Sequence, residues 1–207
     1  MPDGTSNLVM TKRVLDQTLK LGDCLAVMKT DIYARSVDVV VTSPPYNLNL
    51  AYGVYDDSRD EDEYIDWLCE VTGAIKRVMK PDGSFFLNIA GSNSRPDVPF
   101  KLMVRLRALG FYLQNHIMWI KSISMETESR GHFKPVGGKR FMHHNHEHIF
   151  HLTLNNNVEM DRLSIGLPFQ DKTNIARRGH EWLLQWSTDG IGSSQILHTS
   201  HLRAARG

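Results

Sequence analysis

Val39-Val40-Val41-Thr42-Ser43-Pro44-Pro45-Tyr46-Asn47 is the stretch whose reading decides the fold. An unbroken β-branched run reads as a buried strand of a parallel sheet. It ends at a Pro-Pro pair, which removes two backbone donors and fixes two φ angles. The result is a stiff loop at the carboxyl end of a strand, where open α/β sheets place their ligands. That loop presents a hydroxyl (Ser43), a carbonyl (Pro44) and an aromatic face (Tyr46). Together they suit an exocyclic amine on a planar ring: the amine donates to two acceptors while the ring lies against the tyrosine.

Ser-Pro-Pro-Tyr after a hydrophobic strand resembles the catalytic motif of the amino-methylating DNA methyltransferases, which use S-adenosylmethionine. Thr42 before it and Asn47-Leu48 after it are similar to the permuted (β) branch, in which this motif precedes the cofactor glycines. The resemblance implies a Rossmann-like α/β fold with a doubly wound, mostly parallel sheet. It also implies S-adenosylmethionine as cofactor and Ser43, Pro44, Pro45 and Tyr46 as catalytic residues.

Length and composition agree with such a domain. The chain has 207 residues, enough for one α/β core. It is 41% hydrophobic and 23% charged, ordinary values for a globular protein. Cys24 and Cys69 stand far apart in unlike contexts, so neither a disulfide framework nor a zinc site is indicated. No apolar run approaches the roughly 20 residues of a membrane span, and no signal-peptide pattern opens the chain. The expected setting is cytoplasmic, without membrane contact. A formal net charge of +1 gives nucleic-acid binding no global support, so only local basic clusters can supply it.

Outward from the central stretch, the chain alternates strands and helices. Thr18 to Met28 reads as a short strand running into Gly22-Asp23 and then a helical turn. Asp23 is either a turn residue or a carboxylate for the cofactor's adenine or ribose. Asn47 to Asp62 shows no hydrophobic period and reads as a mobile loop, with the acidic run 56–63 starting a helix. Ile65, Leu68, Val71, Ile75, Val78 and Met79 then mark an amphipathic helix over 64–79. Lys80-Pro81-Asp82-Gly83 reads as a stop and turn. Ser84 to Ile89 is the next buried strand; Asn88 and Ser92 lie where a second strand end can face the pocket, Asn88 toward its cofactor, or else form the turn that follows. Val98 to Leu109 is a second amphipathic helix closed by Gly110. Phe111 to Lys121 reads as a strand with Trp119 and Lys121 at its end.

The character changes over 122–145, where glycines alternate with Arg130, Lys134, Lys139 and Arg140. The segment is either a basic surface loop or a DNA-facing element suited to phosphate contact. The resemblance, which places a target-recognition segment here, supports the second. His144, His146 and His148 share a strand face, so a chelate is geometrically open. Similarity to the family's own His-Glu-hydrophobic-Ile-Phe-His strand gives them a structural role instead, and no metal is expected. The expected division is a catalytic half at 1–121, target recognition at 122–145, the rest of the same domain at 146–188, and an atypical tail at 189–207.

The departure from the family lies in that tail. A His-Pro segment and an aromatic-x-Gly-x-Gly cofactor loop are expected after the second half, and neither is found. Gly190-Ile191-Gly192 has no hydrophobic strand before it and no helix pattern after it. Back-translating Leu197 to Gly207 with free third bases, a one-nucleotide shift reads Ser-Thr-His-Pro-Thr-Phe-Glu-Leu-Pro-Glu, similar to the missing segment. The expectation is therefore an incomplete fold from a truncated or frame-shifted gene, with the strand before Ser43 beside an open edge. Serine at the first motif position is the pattern for cytosine N4, aspartate or asparagine for adenine N6. The expected substrate is double-stranded DNA, with cytosine N4 favoured. A homodimer or complementing chain and a cognate restriction endonuclease are the further partners implied. The rival reading is a non-catalytic remnant that binds nucleic acid weakly or not at all. A protein glutamine amide as target is disfavoured by Ser43, since that group uses Asn-Pro-Pro-Tyr.

Overall fold

Val37 to Thr42 extends because five of its six residues are β-branched. In the computed structural model it is one strand of a four-stranded sheet that organises residues 1–158. The structure describes residues 10–14, 17–51, 55–124, 126–131, 139–140, 142, 144–161, 167–168, 183–186 and 195–198. The elements in chain order begin with β1 (Met10–Val14) and β2 (Gln17–Leu21), an antiparallel hairpin, and α1 (Cys24–Thr30). Next come β3 (Val37–Thr42), α2 (Glu61–Val78), β4 (Met79–Ile89), α3 (Val98–Ala108) and β5 (Tyr112–Ile120). β6 (Ser122–Ser124) and β7 (Ser129–Gly131) form a small antiparallel hairpin, and β8 (His146–Thr153) returns to the main sheet.

The sheet order is β3-β4-β8-β5. β3 pairs parallel with β4, while β8 is antiparallel to both β4 and β5. Three strands therefore run one way and β8 alone opposes them. The class is α/β with a mixed sheet.

Alternate residues along these strands serve opposite faces. Phe85, Leu87 and Ile89 of β4 lie beside Phe150 and Leu152 of β8 on one face, all at most 2% exposed. α2 and α3 cover that face. α2 buries Tyr64, Ile65, Leu68, Thr72, Ile75 and Val78, a three-and-four spacing that lays one stripe on the sheet. α3 adds Val98, Pro99, Leu102 and Leu106. The acidic run starts α2 as expected: Asp60 is its N-cap and Glu61, Asp62 and Glu63 sit in its first turn. Gly110, at φ 87°, closes α3.

Two expectations are corrected. The valine run is not buried on both sides: among the described residues β3 is an edge strand, with Val39 55% and Val41 74% exposed on the face away from the helices. A β-branched run reports extended backbone, and only tertiary neighbours decide whether both faces are covered. Lys80 to Gly83 follows the end of α2 at Val78 as expected, but it lies inside β4 instead of forming a turn before the strand. Val37 pairs with Met79 and Val39 with Ser84, so these four residues bulge within β4 opposite Asp38. Lys80 Nζ reaches the Asp38 carboxylate at 2.5 Å across that bulge.

Residues 159–207 form a second compact unit. Its described strands, β9 (Leu167–Pro168), β10 (Leu183–Trp186) and β11 (Gln195–His198), make an antiparallel sheet in the order β11-β10-β9. Gly190, Gly192 and most of the expected atypical tail lie outside the described residues.

Candidate nucleobase site at the end of β3

Beyond Thr42 the chain leaves the sheet, and Ser43 to Tyr46 line an open cavity of about 370 Å³. Leu48, Leu50, Asn88, Trp119, Lys121 and Glu147 complete its lining. The volume is at the lower end for small-molecule sites. The face of the sheet away from the helices supplies the polar groups. Trp119 of β5 stands directly across from Glu147 of β8, and Lys121 lies two residues beyond Trp119. Asn88 of β4 pairs with Ile149, which sets its side chain diagonal to Glu147.

These groups form one hydrogen-bond network. The Tyr46 hydroxyl donates to Glu147 Oε2 at 3.1 Å. Asn88 Nδ2 donates to the Tyr46 hydroxyl oxygen at 3.0 Å and to Glu147 Oε2 at 2.8 Å. Lys121 Nζ closes on Glu147 Oε1 at 2.5 Å. Burial works against the Glu147 charge, but the hydrogen bonds from Lys121, Asn88 and Tyr46 outweigh it and hold the carboxyl below its usual range. Glu147 is therefore an acceptor at neutral pH. Tyr46 has one proton and gives it to Glu147, so in the 2.9 Å contact between Ser43 Oγ and Tyr46 Oη the serine is the donor. This direction leaves the serine's lone pairs for a ligand.

The backbone of the loop is pinned from behind. Tyr64 of α2 donates its hydroxyl to the Pro45 carbonyl at 2.7 Å, and burial pushes that phenol's pKa up. Asp57, 3% exposed, accepts the backbone N–H groups of Asn47 (2.9 Å), Leu48 (3.0 Å) and Leu50 (2.9 Å). Asn47 and Asn49 sit at φ 57° and 59°, a left-handed region that asparagine tolerates better than most residues. Asn47 Nδ2 adds a 2.8 Å bond to the Arg59 carbonyl. The segment read as a mobile loop is thus tied down over 47–50. With the Pro45 carbonyl engaged by Tyr64, the Pro44 carbonyl has no donor among the described residues.

The other expected site residues are placed as follows. Asp23 caps α1, accepting the Ala26 N–H at 3.0 Å, and remains exposed at the end of β2. Asn88, expected at the cofactor, is within the network beneath Tyr46, and its Oδ1 is buried without a hydrogen-bond partner. Arg130 on β7 pairs with Glu128 at 2.9 Å, and Lys139 and Arg140 are exposed. Lys134 lies outside the described residues. His148 packs between His116, at 2.9 Å from Nε2 to Nδ1, and the edge of Phe100. Among the described residues no three His, Cys, Asp or Glu side chains are grouped to hold a metal ion.

Glu147 and Lys121 are the site residues that the linear reading missed. Glu147 sat inside a histidine-rich strand, and Lys121 was noted only as a strand end. The available signal was alternation: a lone carboxylate between histidines must face the opposite side of the sheet from them.

The chain is similar to known proteins in sequence and in fold. The sequence profile described as DNA methylase, of the N6/N4 type, matches residues 37–203. The type II methyltransferase M.BglII of Bacillus subtilis is 37% identical over 109 residues, half of this chain and 29% of that protein. The DNA adenine methyltransferase YhdJ of Escherichia coli is 36% identical over 103 residues, half of this chain and 33% of that protein. The solved PvuII DNA methyltransferase (cytosine-N4-specific) superposes with a TM-score of 0.51 over 70% of this chain and 51% of that one, at 19% identity. The matched part of this chain thus spans about a third of the length of those two curated relatives.

Proposed function

The chain belongs to the N6/N4 DNA methylase family, and on that premise we propose that its cavity receives an amino-bearing base of double-stranded DNA for methylation by S-adenosylmethionine. The observation that carries this reading is the pair of open acceptors, Ser43 Oγ and the Pro44 carbonyl, beside the Tyr46 ring in a lined cavity. A target amine within a duplex must leave the stack to reach them, at a few kcal/mol. Stacking on Tyr46 recovers about 1–3 kcal/mol of that cost. The amine's lone pair is delocalised into its ring and is a poor nucleophile. Hydrogen bonds from its two N–H groups to Ser43 and Pro44 draw the nitrogen toward sp³ geometry and localise the lone pair. Holding reactants in that geometry is the proximity part of catalysis.

S-adenosylmethionine, when bound, supplies a methyl on a sulfonium, an electrophile that needs no further activation. Two residues of this chain fit it. Asn88 Oδ1, a buried acceptor lacking a partner at the cavity, suits an ammonium or hydroxyl donor. Asp23, with only Oδ1 engaged, suits a ribose hydroxyl. The fuller doubly wound sheet, the permuted motif order, and contact of Arg130, Lys134, Lys139 and Arg140 with DNA belong to the same proposal, as does a companion endonuclease.

Cytosine N4 is the favoured target because serine leads the motif. Relatives whose names specify cytosine N4 and adenine both occur, so kinship alone leaves both bases open. Mass analysis of nucleosides from DNA incubated with the protein and S-adenosylmethionine tests the choice. N4-methyldeoxycytidine, lost in Ser43→Ala, is the expected product; N6-methyldeoxyadenosine alone overturns it. A non-catalytic protein that binds nucleic acid weakly or not at all is the second reading. Calorimetry separates the two, since such a protein releases no heat with millimolar S-adenosylmethionine.

A further inference from the structure

We infer that Lys121 is the specificity-determining residue of this cavity, its ammonium donating to the ring acceptors of cytosine and disfavouring adenine. The inference rests on the base-binding reading of the site and goes beyond it by assigning discrimination to a side chain outside the Ser-Pro-Pro-Tyr motif.

Lys121 follows β5 directly, and its backbone N–H is held by the Asn145 carbonyl at 2.7 Å. Its side chain lines the cavity and is 40% exposed there. The ammonium carries three donors. One is given to Glu147 Oε1 at 2.5 Å, and among the described residues no second protein acceptor takes the others. The Trp119 ring lies beneath it, 5.8 Å from Nζ to the ring centroid. That geometry leaves a fixed cation with spare donors in a cavity whose other polar groups are mainly acceptors.

The position is within reach of one base. From Ser43 Oγ the contacts run through Tyr46 Oη and the Glu147 carboxylate to Lys121 Nζ, each link 2.5–3.1 Å long. With the roughly 2 Å between the two carboxylate oxygens included, Ser43 Oγ and Lys121 Nζ lie at most about 11 Å apart, an upper bound close to the span of one pyrimidine with a hydrogen bond at each end.

The two candidate bases differ on the edge that would meet this cation. Beside its amine, cytosine presents ring N3 and then the 2-oxo group, both acceptors. Adenine presents ring N1 and then a C–H. With the amine held by Ser43 and Pro44, the ammonium finds a carbonyl oxygen in cytosine and an apolar hydrogen in adenine. A site built around a donor penalises the ligand that cannot satisfy it.

Titrating the ¹⁵N-labelled full chain with 2′-deoxycytidine and 2′-deoxyadenosine tests this by NMR, without requiring catalysis. The expected result is deoxycytidine binding about tenfold tighter, the size of one charge-assisted hydrogen bond, with shifts at residues 43–50 and 119–121. Lys121→Met is expected to abolish the preference by weakening deoxycytidine alone, and Lys121→Arg to retain it. Equal binding of both nucleosides by the unaltered protein, or equal weakening of both in folded Lys121→Met, overturns the assignment to Lys121 and leaves the base-binding reading standing. If neither nucleoside shifts residues 43–50, the base-binding reading fails and the inference falls with it. Where Lys121→Met does not fold, Lys121→Ala is read in its place, with the same two outcomes deciding the assignment.

Discussion

The two faces of the main sheet are built from alternate residues of the same strands and are unlike in every respect. Under α2 and α3, β4 and β8 contribute Phe85, Leu87, Ile89, Phe150 and Leu152, a dry layer closed by two helices. On the reverse face the intervening positions hold Phe86, Asn88, Glu147 and His151, with Val41 open to solvent and Trp119 half exposed. Polar groups there are engaged with one another. His151 stacks on Phe86 at 4.5 Å and hydrogen-bonds Ser84 at 2.9 Å. Glu147 is gripped from three sides. The helix-covered face supplies cohesion, and the reverse face supplies a preorganised polar surface. Period-two alternation lets one strand do both.

That division can be broken most severely from the covered side. Phe150→Ala, at a position 2% exposed, is expected to cost about 3–5 kcal/mol in urea unfolding. A loss below about 1 kcal/mol would mean that this layer is not the core.

Acid is the next largest perturbation, and it acts through His148 on the same covered face. Burial, then the charges of His116, His146 and His144, pull its pKa down to about 4. In the unfolded chain the value is near 6.5. Between those values the unfolded state binds more protons, so stability is full above about pH 6.5 and falls as the pH drops toward 4. The expected loss is on the order of 2–3 kcal/mol. His148→Phe should flatten that part of the stability profile; an unchanged slope would assign the acid sensitivity elsewhere.

Smaller effects sharpen the contrast at the site. Tyr64→Phe removes the hydroxyl that holds the Pro45 carbonyl. It is expected to cost about 1 kcal/mol of stability. It should also increase amide exchange over 46–50 more than in α2 itself. Uniform change across both would make Tyr64 a packing residue only. Val41→Thr, on the uncovered edge, should change stability by less than about 0.5 kcal/mol. A larger loss would show that something covers this face in solution.

Much of the covered face was legible because burial there follows a period. The stripe from Ile65 to Val78 predicted α2, and Gly110 predicted the end of α3 where a positive φ is required. Gly22-Asp23 marked the start of a helical turn, and the structure makes Asp23 the N-cap of α1. The uncovered face was less legible. Nothing in Val39-Val40-Val41 distinguishes an edge strand from a central one, and a Pro-Asp-Gly turn signal can sit inside a strand as a bulge. Ser43 to Tyr46 stood out through local chemistry. Glu147 is 101 residues from Tyr46 along the chain, a contact that only the sheet register creates. Lys121 joins the site through the same register, so no short motif contained it.

The central claim is that the rigid end of β3 receives an amino nucleobase. Soaking crystals of the protein in 2′-deoxycytidine tests it most directly. The account predicts the ring in the cavity against Tyr46, with its amine within hydrogen-bond distance of Ser43 Oγ and the Pro44 carbonyl. A nucleoside bound elsewhere on the protein, with only solvent beside Ser43, would contradict it.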